Sequence, residues 1–308
     1  VFTSHMRYHG TSPREPYVFW SREATELHLI MANGGAALPL GRLTWELRDG
    51  GQVVDVGALT AQPVPGGASR ETAILDVTLP AVTAPRGLTL SVTWADRATV
   101  QPTVTNAWRL LILPRPTFPA VVAINGLFSQ RSALKALWPT TAFVELVDAP
   151  PMVPLLADAC TPEVGAAIAS GRRGLVWVTQ PVPALTDARP FWREAIHVVD
   201  QERFGLPAHD HADLTAHGIA SGLCLTPDVD ALARAFAQPG LKIHSRPWRR
   251  FDARRFDWHE QWLDLHIGSG QCAVTTLRLA GGEGEQPAQL TSNPLGLWLL
   301  ARGLAPAS

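Results

Sequence analysis

The sequence predicts two domains, a β-sandwich followed by an α/β domain, and three observations support this. Hydrophobic residues alternate with polar ones from about Tyr17 to Leu113, which is the period of half-buried strands. Three prolines fall within residues 114–119, as in a short and stiff connecting segment. Beyond it, short apolar runs alternate with helix-start signals, which is typical of an α/β domain with a mostly parallel sheet.

The strands of the predicted sandwich alternate inward apolar with outward polar residues, except the last, which is apolar on both faces as in a strand covered on both sides. They are Leu27–Met31, Leu43–Leu47, Val53–Leu59, Ala73–Leu79, Leu88–Trp94 and Ala107–Leu113. The turn Asp49-Gly50-Gly51 suits a reversal that needs positive φ. Trp45 and Trp94 fall on inward rows, so we assign them to the core. Six or seven such strands without a helix between them predict an immunoglobulin-like sandwich, here without a disulfide because all three cysteines lie in the second half.

The second half combines buried strands with capped helices. The predicted strands are Ala120–Ile124, Thr141–Val147 and Gly174–Thr179, followed by a late hairpin of Trp262–Ile267 with Ala273–Leu279. The predicted helices cover Ser129–Leu137, a segment that starts at Thr161-Pro162-Glu163, a segment from Thr226-Pro227-Asp228 to about Gln238, and a final helix capped by Asn293-Pro294. This order of elements predicts the α/β domain.

Several local sequences resemble the region after the catalytic barrel in bacterial glycoside hydrolase family 2 proteins, the β-galactosidase and β-glucuronidase group. They are residues 41–50 (GRLTWELRDG), 106–114 (NAWRLLILP) and 267–279 (IGSGQCAVTTLRL). The resemblance covers nearly the whole chain and implies a class I glutamine-amidotransferase-like, flavodoxin-like second domain. The expected division is an N-terminal segment at 1–16 (a tag or an upstream remnant), the sandwich at 17–113, the linker at 114–119 and the α/β domain at 120–306.

The resemblance implies that the chain is a non-catalytic accessory C-terminal region of a β-glycosidase, which would hydrolyse O-glycosidic bonds with a (β/α)8 barrel upstream. The expected roles are structural support, the rim of the active site or oligomerisation. The family's acid/base glutamate follows an asparagine, and no Asn-Glu pair occurs here. We therefore predict no catalytic residue in this chain. The alternatives are a stand-alone carbohydrate-binding or interaction module, and a divergent amidotransferase-like hydrolase.

The candidate binding residues are tryptophans and histidines. Trp138, Trp192 and Trp248 lie near predicted element ends beside prolines, where an indole face can stack on a sugar; filling a domain interface is the alternative. His209 and His211 are candidate metal ligands, with a solvated loop as the alternative. No motif indicates a cofactor.

Charge and composition restrict the partners. The net charge is −1, and the arginines between Arg246 and Arg255 are interrupted by acidic and aromatic residues, so we predict no nucleic-acid partner. No apolar run is long enough for a membrane span, and no signal peptide is evident, although the compartment stays open. The expected partners are the upstream barrel, carbohydrate and a second copy of the chain.

Overall fold

The chain divides into two compact units between Arg115 and Pro116, within the proline-rich segment. The computed structural model describes residues 17–96, 102–126, 131–188, 195–207, 223–252, 255–280 and 293–305. Strands dominate both units, so the chain contains more sheet and less helix than the pattern of its second half predicts.

The first unit is a β-sandwich of unequal sheets. Its strands are β1 (Val18–Trp20), β2 (Ala24–Asn33), β3 (Gly41–Asp49), β4 (Gln52–Ala61), β5 (Ala68–Thr78), β6 (Arg86–Asp96) and β7 (Pro102–Leu113). Five of them form one sheet in the order β1-β7-β6-β3-β4, and β2 pairs with β5. Only β1, parallel to β7, departs from the antiparallel pairing of these described strands. The sandwich-like sheets confirm the predicted class of this unit.

The interior of the sandwich follows the alternation of the sequence. Leu43, Trp45 and Leu47 of β3 are buried. Every second side chain of β6 from Leu88 to Trp94 is buried as well. Gly50 has φ +57°, the left-handed conformation that the predicted turn requires. The assignment of Trp45 and Trp94 to the core is therefore confirmed.

The second unit contains ten strands and five helices among the described residues. The strands are β8 (Val121–Asn125), β9 (Ala142–Glu145), β10 (Leu155–Ala157), β11 (Arg173–Trp177), β12 (Thr186–Ala188), β13 (Ala195–Val199), β14 (Leu223–Leu225), β15 (Lys242–Asp252), β16 (Asp257–Ile267) and β17 (Gly270–Thr275). The helices are α1 (Arg131–Leu137), α2 (Pro162–Ala169), α3 (Gln201–Phe204), α4 (Val229–Phe236) and α5 (Pro294–Leu304).

These ten strands form one mixed sheet. The strands β9-β8-β10-β11-β17 are parallel neighbours, while β16 pairs antiparallel with β17, β15 and β14. On the far side, β15 pairs with β13, and β14 with β12. The prediction of a mostly parallel sheet is therefore wrong for half of the unit. The strand β15 was missed because its arginines and Pro247 break the apolar alternation.

Two helix starts agree with the sequence in detail. Thr161 Oγ1 accepts a hydrogen bond from Val164 N at 3.3 Å, and Asn293 Oδ1 accepts one from Gly296 N at 3.2 Å. The third start is shifted, because Asp228 and not Thr226 caps α4. Thr226 instead donates its hydroxyl to Ala184 O at 2.9 Å.

Helices cover both faces of the mixed sheet. The helix α2 packs near Gly174, and α5 packs near Leu175, which points to the opposite face because it is the next residue of β11. The helix α3 adds Phe204 to the α5 side, with its ring centroid 5.0 Å from that of Trp262. Among the described residues, no helix combines the length and apolar character that a membrane span needs.

Candidate functional site

Trp138, a predicted sugar platform, is half-buried beside the start of the second unit. Its ring stacks on Phe118 with centroids 3.9 Å apart and an interplanar angle of 13°. Its Nε1 donates to Pro116 O at 3.5 Å. One indole face is thus already occupied by an aromatic ring.

The sequence predicts that Trp248 lies at an exposed element end, and this prediction is wrong. The residue sits inside β15 with 0% of its surface exposed, and its Nε1 donates to His197 Nδ1 at 3.2 Å. A sugar cannot stack on a ring that the protein encloses on all sides, so this assignment is corrected. Trp192, His209 and His211 lie outside the described residues. Within the described ranges, no group of three or more His, Cys, Asp or Glu residues is arranged to hold a metal ion.

An exposed aromatic surface forms instead where β13, β15 and β16 lie side by side. Ile196, Phe251 and Trp258 are opposite one another in register, and Val198 is opposite Arg249 in the next row. Residues paired across strands share a face. We define the Trp258 surface as Ile196, Val198, Arg249, Phe251, Phe256 and Trp258.

This surface lies on the face opposite the one that α3 and α5 cover. Trp248 and Phe251 are three residues apart on β15, which pairs with β13 without a register shift, so their side chains point to opposite faces. Phe204 of α3 contacts Trp248, whereas Trp258 is opposite Phe251. The surface is open, with Trp258 exposed by 48% and Phe256 by 80%.

The rings of the surface are held by one another. The ring centroid of Phe251 lies 4.9 Å from that of Trp258, at 44°, and 6.3 Å from that of Phe256, at 70°. The Arg249 guanidinium lies 4.8 Å from the centroid of Trp258, within the range of a cation–π contact. Phe256 has φ +57° at the turn between β15 and β16, an uncommon conformation for a bulky side chain.

A buried carboxylate adjoins these rings. Glu260 pairs with Arg249 in register, is 3% exposed, and accepts a hydrogen bond from Arg246 Nη1 at 3.1 Å through Oε1. Its Oε2 is also buried and has no hydrogen-bond partner among the described residues. Burial raises the pKa of the Glu260 carboxyl, and the charges of Arg246 and Arg249 partly oppose that rise. The exposed rings thus lie beside a buried carboxyl that the protein encloses.

The sequence does contain a signal for the Trp258 surface, namely Phe251 and Trp258 on the two sides of a short turn. From the sequence alone, the interrupted arginines between Arg246 and Arg255 indicate only that a nucleic-acid partner is not expected. The structure separates them, since Arg250 is fully buried, Arg246 pairs with Glu260 and Arg249 lies on Trp258. Reading Phe251 and Trp258 as the same face of a hairpin would have identified the surface.

The cysteines are ordinary thiols: Cys272 is buried and Cys160 is half-buried. Desolvation raises the pKa of Cys160 to about 12, and it raises that of Cys272 well above its ordinary value. Cys224 is also buried. A thiol protonated at neutral pH is a poor nucleophile.

One family profile matches the sandwich, and solved structures are weakly similar to larger parts of the chain. The profile of a family described as "Domain of unknown function (DUF8488)" matches residues 23–114. The search of curated proteins found no match.

Similar solved structures include the CARDB domain of a Pyrococcus furiosus protein in complex with di-metal ions, at 10% identity and TM-score 0.24, covering 32% of this chain and 86% of that one. A Parabacteroides merdae β-glucuronidase matches at 9% identity and TM-score 0.25, over 58% of this chain and 24% of that one. A Paenibacillus cycloisomaltooligosaccharide glucanotransferase matches at 8% identity and TM-score 0.26, over 59% and 28%. The chain spans about a quarter of the length of these two enzymes. Likenesses of this size assign no function, and these give no support to an amidotransferase-like second domain.

Proposed function

We propose that this chain is a non-catalytic accessory region of a β-glycosidase and that its second unit binds carbohydrate through the Trp258 surface. The glycosidase context is supported by the family 2 resemblance of residues 41–50, 106–114 and 267–279. Hydrolysis itself then belongs to an upstream barrel.

The observation that carries the carbohydrate assignment is the exposed ring of Trp258, which Phe251 and the Arg249 guanidinium hold in place. Exposed aromatic rings favour a ligand with an apolar face. A sugar ring combines an apolar C–H face with hydroxyl groups that can accept hydrogen bonds from Arg249, so both features fit one ligand class.

The strand order of the second unit supports the finer fold proposal. Numbered along the chain, the parallel strands β8, β9, β10, β11 and β17 lie in the order 2-1-3-4-5, which is that of flavodoxin-like sheets. We propose that this half derives from an amidotransferase-like domain that carries an antiparallel extension. The raised pKa of Cys160 and Cys272 favours loss of the thiol chemistry over the alternative of a working amidotransferase.

Isothermal titration calorimetry with three β-linked tetrasaccharides tests the binding site: β-1,4-glucan, β-1,3-glucan and β-1,4-galactan. We expect saturable binding of at least one, weakened about tenfold by Trp258→Ala, as for a central aromatic contact. Glu260→Gln should change it little, because this carboxyl is buried. Trp138→Ala is the matched control and should leave the affinity unchanged.

Two outcomes contradict the carbohydrate assignment. One is the absence of binding to all three tetrasaccharides, and the other is a loss that follows Trp138→Ala and not Trp258→Ala. The accessory role has its own test, since the purified chain should not hydrolyse aryl β-glycosides. Turnover that persists through stringent purification would overturn that part alone.

A further inference from the structure

A cleft lies at the end of the mixed sheet away from the Trp258 surface. It has a volume of about 740 Å³ and is formed at the amino ends of β10, β11 and β17, with the last turn of α5 beside them. Small-molecule sites usually have volumes of roughly 300–1,000 Å³. Trp258 and His266, which lines the cleft, are eight residues apart on β16, so about 26 Å of strand separates the cleft from the Trp258 surface.

One wall of the cleft is a row of polar side chains. Arg173, Gln271 and His266 are paired in register across β11, β17 and β16, so they point to the same face. Neighbouring strands are about 4.8 Å apart, which places Arg173 and His266 roughly 10 Å from each other with Gln271 between them. His244 of β15 meets His266 edge to face, with ring centroids 4.6 Å apart.

The basic groups of this row have no acidic partner among the described residues. No carboxylate forms an ion pair with Arg173, His244 or His266 in this part of the chain. The nearby Asp264 is already engaged. Arg203 donates to both of its oxygens, at 2.7 and 3.0 Å, and Ser245 and Trp262 donate to it as well.

Another part of the cleft lining is apolar. Phe118, Pro154 and Leu304 line it, and the ring of Phe118 is held in place by its stack on Trp138. An aromatic ring fixed in this way offers a flat surface to the body of a ligand. The cleft therefore joins an apolar wall to a basic one.

We propose that this cleft binds an anionic small molecule whose carboxylate or phosphate group lies between Arg173 and His266. The planar guanidinium of Arg173 donates two hydrogen bonds to two oxygens of such a group, which a neutral ligand does not match. The Gln271 amide donates between them, and the rest of the ligand packs against Phe118 and Leu304. This site is separate from the carbohydrate surface, and neither depends on the other.

Calorimetry on the full chain tests the proposal with inorganic phosphate, gluconate and glucose as probes. We expect saturable binding of at least one anion, weaker binding at higher ionic strength, and none of glucose at the same concentration. Arg173→Gln should weaken anion binding about tenfold or more, as expected on loss of a charge-assisted hydrogen bond. Lys135→Gln, which removes an exposed cation on α1, should change it less than twofold.

The two anions distinguish the two ligand classes. Tighter binding of phosphate indicates a phosphorylated ligand, and tighter binding of gluconate indicates a carboxylate. Either result supports the site. His266→Gln is the second variant and should also weaken binding. The proposal is overturned if neither anion binds, if glucose binds as tightly, or if Arg173→Gln and Lys135→Gln behave alike.

Discussion

The two units bury different kinds of side chain. The sandwich encloses apolar rows such as Leu43, Trp45 and Leu47, with few polar residues among them. The mixed sheet buries a polar series along β15 and β16: Arg250, Asp252, His259, Glu260, Gln261 and Asp264. Apolar burial is non-directional and tolerates changes of shape, whereas a buried polar group depends on particular partners. The free energy of unfolding of the second unit should therefore fall more when a single buried side chain is truncated.

The largest effect is expected at Asp264. Asp264→Ala leaves the buried Arg203 guanidinium without its carboxylate and removes the acceptor for Ser245 and Trp262. Removal of one partner from a buried ion pair costs about 3–5 kcal/mol. Urea unfolding should show this loss, with hydrogen exchange accelerated in β15 to β17. Ser245→Ala, which removes one hydrogen bond, should cost only about 1 kcal/mol. Equal losses for the two variants would contradict the comparison.

The sandwich should show the response of an apolar core. Leu90 is fully buried in β6, so Leu90→Ala should cost about 3 kcal/mol through lost burial and an unfilled cavity. Leu90→Met conserves volume and should cost less than about 1.5 kcal/mol. The same unfolding experiment measures both. Equal losses of unfolding free energy for Leu90→Met and Leu90→Ala would contradict the comparison, because the apolar core would then be as sensitive to side-chain shape as the polar one.

A smaller effect is expected at the α2 cap. Thr161→Ala removes the acceptor for Val164 N and should cost about 1 kcal/mol. Thr161→Ser retains the hydroxyl and should recover most of this loss. The unfolding free energies of the three proteins provide the test, and an undiminished loss in the serine variant would exclude the cap as its cause.

The smallest effect is a pH dependence at Glu260. Burial raises the pKa of this carboxyl, so the folded protein holds the proton more tightly than the unfolded chain does. The unfolding free energy then falls as pH rises from the ordinary carboxyl range through the raised pKa. Glu260→Gln has no proton to lose, so its stability relative to wild type should increase with pH across that window. Urea unfolding between pH 4 and pH 7 measures the difference, and a flat or falling difference would contradict the assignment.

The sequence predicts what local chemistry determines. The alternation around Leu43 and Leu88, the Gly50 turn and the Thr161 cap each depend on neighbours within a few residues, and the structure has all of them. The strand β15 was missed because its arginines and Pro247 interrupt the apolar alternation, although Arg250 is fully buried in the folded unit.

The candidate site was harder to predict for a related reason. Trp248 and Trp258 point to opposite faces of the sheet, because Phe251, the partner of Trp258, is three residues from Trp248 on β15. Which of them is exposed depends on what covers each face, and Phe204 of α3 contacts Trp248. That coverage is a property of the packed unit, which periodicity does not contain. The predicted division at residues 17–113, 114–119 and 120–306 stays a prediction.

The position of β17 has a consequence for the order of folding. It lies between β16 and β11, and its pairing with β11 joins residues roughly a hundred positions apart, such as Arg173 and Gln271. Contacts of this separation form slowly, whereas β6 and β7 of the sandwich are consecutive. On the ribosome, the sandwich can close while the second unit still consists of two half-sheets with bare edges. Synthesis of β17 then unites them, so a nascent chain that has not yet produced this strand exposes sheet edges that favour aggregation.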